Sequence, residues 1–141
     1  MIDNLIEILH RGNHSLVVDN GNGPKTFDGR GVSDLYRIYT ESPELLKDAA
    51  LADKIVGKGA AALMSLGGVA QVYADVISTA ALKLLRSNRV EVSFSAEVPN
   101  IINRAGTGVC PVETLCRACT TAAECLPLIT DFLIKMNKCN N

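Results

Sequence analysis

The stretch Ala49–Ser78, AALADKIVGKGAAALMSLGGVAQVYADVIS, constrains the fold more than any other part of the chain. Residues 50–56 (ALADKIV) place apolar and β-branched residues on both sides of Asp53-Lys54 and read as a buried strand. Gly57 breaks it, and residues 58–66 (KGAAALMSL) predict a helix that is apolar almost all round and therefore enclosed by protein. Gly67-Gly68 stops that helix, and residues 70–76 read as a second buried strand. Strand, helix and strand joined by short connections imply parallel pairing.

The flanking segments extend the same plan. Ile2, Leu5, Ile6 and Leu9 recur at helical spacing, predicting a helix over residues 3–10 that Gly12 stops. Ser15–Val18 and Lys25–Phe27 flank an Asn/Gly-rich segment and predict a hairpin with a long loop. Val32, Leu35, Tyr36 and Tyr39 mark a helix over 32–40, and Ser42-Pro43-Glu44 opens a short one after it. Ser78 caps a helix over 79–87, and Val90–Phe94 alternates as a half-exposed strand. A short helix is expected near residues 99–103, another from Pro111, and a last amphipathic helix through Leu128, Ile129, Phe132, Leu133 and Met136. The expected fold is α/β: a single domain over 1–141, a three-layer α/β/α sandwich around a mixed sheet of about five strands.

Charge and cysteine usage narrow the function. A net charge of −1 supplies no basic excess for counterion release, so nucleic-acid binding is not expected. Asp75 interrupts the longest apolar run, which falls short of a bilayer span, so no membrane partner is expected. The N-terminus lacks the basic start and apolar core of a signal peptide, which makes the cytoplasm the expected location. All five cysteines (Cys110, Cys116, Cys119, Cys125 and Cys139) lie in the last third, an odd number that suits reduced thiols better than a disulfide scaffold.

Four constellations carry chemistry. Gly57-Lys58-Gly59-Ala60-Ala61-Ala62 follows a strand, opens a helix and fits G-x-G-x-x-A, with Asp75 placed 18 residues after Gly57 for a ribose. The simpler account is a tight βα turn whose small residues serve packing. Lys54 and Lys58 offer cations at that helix start and Asp53 a counter-charge; alternation sends Asp53 and Lys54 to opposite faces, so one at most is expected in a given pocket. The segment Asn103–Glu113 delivers Cys110 to a helix start, with Pro111 at the first helical position and Glu113 in the first turn. Thr107 or Asn103 would position a substrate, and Cys110 is the most plausible reactive thiol, although both histidines, His10 and His14, lie far away in sequence. Finally, Cys116-x-x-Cys119 is a single knuckle where a closed zinc site uses two, and its i, i+3 spacing suits core packing. No metal and no cofactor are expected.

Asp53-Lys54-Ile55-Val56-Gly57-Lys58, Tyr73–Ser78 and Asn103-Arg104 through Gly106-Thr107-Gly108 to Cys110-Pro111 and Glu113, together with Arg30-Gly31, resemble the signatures of a small prokaryotic family of unknown function. That family is placed in the cytidine-deaminase-like fold, and the likeness covers nearly the whole chain. Ala105 departs from it, standing where an acidic residue is expected. The resemblance also implies an absence. Zinc deaminases need His/Cys-x-Glu at one helix start and Pro-Cys-x-x-Cys at the next. The matching places here hold Lys58-Gly59-Ala60 and Ser78-Thr79-Ala80-Ala81.

The resulting expectation is a domain that binds a small, anionic or nucleotide-like molecule without zinc deaminase activity. Its pocket would join the Gly57–Gly59 turn, the Asp75–Ser78 strand end and the Asn103–Glu113 loop. Lys58 would hold an anionic group, and Arg104 and Ser78 would add polar contacts. Two alternatives stand beside it: an enzyme using Cys110 as a thiol nucleophile, and a structural homodimer whose motifs serve packing.

Overall fold

A computed structural model describes residues 2–29, 32–102, 106 and 108–139. These residues form six α-helices and one five-stranded mixed sheet. In chain order the elements are α1 (Ile2–Arg11), β1 (Leu16–Asp19), β2 (Lys25–Phe27), α2 (Ser33–Glu41), a 3-10 turn at Pro43–Leu45, β3 (Ala50–Val56) and α3 (Lys58–Gly67). Then follow β4 (Gln71–Ser78), α4 (Thr79–Ser87), β5 (Glu91–Val98), α5 (Pro111–Cys116) and α6 (Ala122–Cys139).

The sheet order is β2-β1-β3-β4-β5. β1 runs antiparallel to both neighbours, with Leu16 opposite Phe27 on one side and Asp53 on the other. β3, β4 and β5 are parallel, as the helical crossovers between them require. In the hairpin loop, the Asp19 carboxylate accepts from the Gly21 and Gly23 amides at 2.8 and 3.2 Å, which fixes the turn.

Alternate residues of β1 and β3 feed two core clusters. Val17, Ala50 and Ala52 pack with Leu5 and Leu9 of α1. Leu16, Val18 and Leu51 join the larger cluster with α2, α3, α4 and α6. α3 lies in the middle of that cluster, with Ala61, Ala62, Leu63 and Met64 wholly buried, so its small residues bring backbone close to its neighbours. It ends at Gly68, whose φ of +81° is left-handed and whose N–H reaches the Met64 and Ser65 carbonyls. Only glycine adopts that conformation without strain.

Two expectations need correction. The sequence predicts a helix near residues 99–103, but Ile102 makes an antiparallel bridge with Val109, and the Cys110 amide donates to the Ile101 carbonyl at 2.8 Å. Residues 101–102 and 109–110 thus form the stem of a loop, and extended pairing there replaces helical bonding. Strict alternation also fails at the end of β3. Leu51 and Val56, five residues apart, both enter the larger core, as do Ala74 and Ile77 of β4, three apart. The strands change phase together, and this allows Asp53 and Lys54 to border the same cavity.

Candidate functional site

A cavity of about 300 Å³ opens where the carboxyl end of β3 meets the starts of α3 and α5. Asp53, Lys54 and Ile55 line it from β3, Gly57 and Gly59 from the turn into α3, and Cys110 and Glu113 from the start of α5. Ile55 and Ile102 stand at its edge, 53% and 56% exposed.

Glu113 holds this region together. It is 5% exposed, and its carboxylate accepts three hydrogen bonds. Oε1 takes the Lys58 backbone N–H at 3.0 Å and the Ser78 hydroxyl at 3.1 Å. Oε2 takes the Ile101 N–H at 3.0 Å. Lys58 is the first residue of α3, whose N-cap, Gly57, has no side chain to offer. Ser78 is the N-cap of α4, and its Oγ accepts from the Ala81 N–H at 3.2 Å. One carboxylate from α5 therefore caps α3 directly and α4 through a hydroxyl. Two positive helix ends stabilise its charge, and its bonds leave neither oxygen bare.

The glycines of the turn serve this packing. A Cβ on Gly59 would lie 2.3 Å from Cγ1 of Val112, so α5 approaches α3 only because residue 59 is glycine. At Gly57 a Cβ would meet the Glu113 carboxylate and Ile101 at 3.3 Å, a tighter fit than usual. The Lys58 side chain points away to the far end of α5, where its ammonium donates to the carbonyls of Arg117 and Cys119. The first N–H of α3 is given to Glu113 and the ammonium to carbonyls, so neither donor of Lys58 itself is turned to the expected anion site.

Asp53 has the most unusual environment. Loss of hydration pushes its carboxyl up to about 8, aided by the charges of Asp75 and Asp34 and opposed by the Ile55 and Lys54 N–H groups. A carboxyl with that value is mostly neutral near pH 7, and Asp53 accepts from the Ile55 N–H at 3.3 Å. Lys54 gives its ammonium to the Asn13 side chain.

The family described as a domain of unknown function (DUF1893) matches residues 4–133. The chain belongs to the DUF1893 family. Among solved structures, it is similar to a DUF1893 family protein (TM1506) from Thermotoga maritima, with 22% identity over 92% of this chain and 87% of that one, at a TM-score of 0.84. At that identity the likeness concerns the fold. Comparison with curated proteins finds no match.

The remaining expected site residues of this DUF1893 domain are distributed as follows. Cys110 borders the cavity, half-buried, as the N-cap residue of α5 without a side-chain capping bond. Ser78 is fully buried and turned to Glu113. Asp75 turns elsewhere: it bonds the His10 ring of α1 at 2.7 Å and the Tyr73 hydroxyl at 2.8 Å. Burial, then Asp75 itself, push the Tyr73 phenol up to about 12. Asn103, Arg104 and Thr107, with Arg30, Gly31 and Ala105 of the resemblance, lie outside the described residues. Among the described residues no group of three His, Cys, Asp or Glu is arranged to hold a metal ion, and no helix is long and apolar enough to cross a membrane.

Sequence reasoning missed Ile101, Ile102 and Val32 as cavity walls. Nothing local marks Val32. Two adjacent isoleucines before a glycine-bearing loop were the one available signal, because a stem brings its ends together.

Proposed function

We propose that this chain is a small-molecule-binding domain whose ligand sits in the Asp53–Cys110–Glu113 cavity. The supporting observation is the cavity's composition: a largely apolar mouth with Ile55 and Ile102 exposed, over a wall carrying a carboxyl that is mostly neutral near pH 7. Exposed apolar side chains beside a concave, polar-tipped pocket favour a flat ligand with an apolar body. A protonated carboxyl recognises an amide-like or ring-nitrogen edge by donating and accepting at once. With a neutral carboxyl in the cavity wall and the Glu113 carboxylate at the start of α3, the ligand class is a neutral heterocycle, such as a nucleobase or nucleoside, rather than a phosphate-led one.

The reading includes a three-layer, deaminase-like sandwich, supported by the order β2-β1-β3-β4-β5 with β1 antiparallel and by separate core clusters fed from alternate residues. It excludes zinc deamination on residue chemistry, since Lys58-Gly59-Ala60 and Ser78–Ala81 offer neither ligands nor a proton-carrying glutamate. A cytoplasmic location belongs to the same proposal.

The test is a melting-temperature panel of nucleobases, nucleosides and nucleotides on the wild type and Ile102→Glu, a change at an exposed position. A neutral ligand at 100 times its Kd adds about 2.7 kcal/mol, or roughly 5–10 °C. The shift should vanish in Ile102→Glu. Silence across the panel, or an undiminished shift in the variant, contradicts the proposal. A second reading, Cys110 as a nucleophile, rests on its place in the cavity wall. It requires selective alkylation of Cys110 that ligand blocks; a Cys110 inert to alkylating agents ends it.

A further inference from the structure

Away from the cavity, three thiols meet where α5 turns into α6. Cys116 closes α5, Cys119 follows in the turn with its N–H on the Cys116 carbonyl at 3.0 Å, and Cys125 lies in the first turns of α6. The Cys125 thiol donates to the Thr121 carbonyl at 3.6 Å and packs in the same core as Cys116, with Cys119 against it. Cys116 and Cys125 are wholly buried, and desolvation raises both. Cys119 differs. It is half-buried and opens onto a shallow recess bordered by Lys58, Lys83 and Arg117. A half-buried cysteine thus stands beside a buried partner under a cationic rim.

The geometry points to a peroxide-sensitive modification site in which Cys119 is oxidised first and Cys125 resolves it to a disulfide across the α5–α6 turn. In the first step the Cys119 sulfur attacks one oxygen of hydrogen peroxide. The O–O bond breaks, Cys119 becomes a sulfenic acid, and the departing hydroxide leaves as water with the thiol proton. Lys83 and Arg117 of the recess stabilise the charge on that leaving oxygen. In the second step the Cys125 sulfur attacks the Cys119 sulfur, the S–O bond breaks, and the hydroxyl departs as a second water with the Cys125 proton. Two thiols are oxidised and one peroxide is reduced to two waters. The bond would also fix the Cys119 carbonyl that holds the Lys58 ammonium, tying α5 to α6 beneath the cavity.

Tryptic mapping after peroxide treatment of the whole protein tests this directly. Cleavage after Arg117 and Lys135 releases residues 118–135 with both Cys119 and Cys125, and leaves Cys116 on the preceding peptide. The expected product is an intact 118–135 peptide lighter by about 2 Da, the two thiol hydrogens. Cys119→Ser should abolish the mass loss. Cys125→Ala should leave a Cys119 sulfenic acid that dimedone traps. A cross-link joining the two peptides, over-oxidation of Cys119 without a bridge, or an unreactive Cys119 overturns the assignment.

Discussion

Replacing Glu113 with glutamine removes the charge and one acceptor while keeping size and shape. The carboxylate accepts from Lys58 N and Ser78 Oγ through Oε1 and from Ile101 N through Oε2. A glutamine has one acceptor oxygen, and its NH₂ must face at least one of these donors. Turned the better way, its oxygen keeps Lys58 and Ser78, and the Ile101 N–H is left buried against another donor. A hydrogen bond to a charged group contributes about 1.5–3 kcal/mol, and the orphaned donor adds its own desolvation. The remaining two bonds weaken as the charge facing two helix N-termini is lost. The opposing effect is relief of burying a carboxylate, which favours glutamine. Since two helix ends and three donors already compensate that charge, the net cost should be about 2–4 kcal/mol. For a chain of 141 residues this lowers the melting temperature by roughly 5–15 °C. Thermal and urea unfolding followed by circular dichroism measure it. An unchanged or higher melting temperature would show that burial of the charge outweighs its three bonds, and the reasoning would fail.

Two further changes probe the same region. Gly59→Ala should destabilise by about 1–3 kcal/mol despite alanine's better helix propensity, because its Cβ meets Val112 at 2.3 Å; adding Val112→Ala should recover most of the loss in a double-mutant cycle. Asp53 gives a pH signature. Its folded-state value near 8 lies above the ordinary 3.8, so between those values the folded protein holds a proton that the unfolded chain has lost. Its contribution is greatest at low pH, declines as pH rises through that window and is gone above about 8. Asp53→Asn should therefore match the wild type near pH 4 and melt several degrees higher at pH 9, and parallel stability curves would refute the shift.

The fold was legible where one pattern ran long enough to dominate. The apolar run, glycine break and alanine helix of residues 50–78 predict β3, α3 and β4 within about two residues at each end, because burial on all sides leaves few other structures. Val90–Phe94 gave β5 its start but not its length; the strand continues to Val98 through Ser95, Ala96 and Glu97, where pairing with Val76–Ser78 outweighs a polar sequence. The helix expected at 99–103 was illegible for the same reason. Its replacement, the Ile102–Val109 bridge, depends on a partner seven residues on and on the Ile101 N–H finding Glu113.

At the site, proximity was readable and bonding was not. The turn glycines and the Cys110–Glu113 helix start suggested convergence over one strand end, and the structure brings them to one cavity. Lys58 looked like an anion-binding cation, yet its ammonium serves the end of α5, because no sequence rule says which way a long side chain leaves a helix start. Asp75 looked like a ribose-binding acid, yet His10 and Tyr73 take it beneath α1. Glu113 carried the faintest local signal and makes the most consequential contacts, since its three donors come from residues 12, 35 and 55 positions away.

Amide hydrogen exchange on the wild type and Glu113→Ala tests most directly whether this one carboxylate joins the starts of α3 and α4 to the loop stem. The Lys58 and Ile101 amides should be strongly protected in the wild type and lose that protection in the variant, while the Ala61 amide, bonded to the Gly57 carbonyl at 3.0 Å, stays slower than both. Equal protection of Lys58 and Ile101 in the two proteins, measured relative to Ala61, would contradict it.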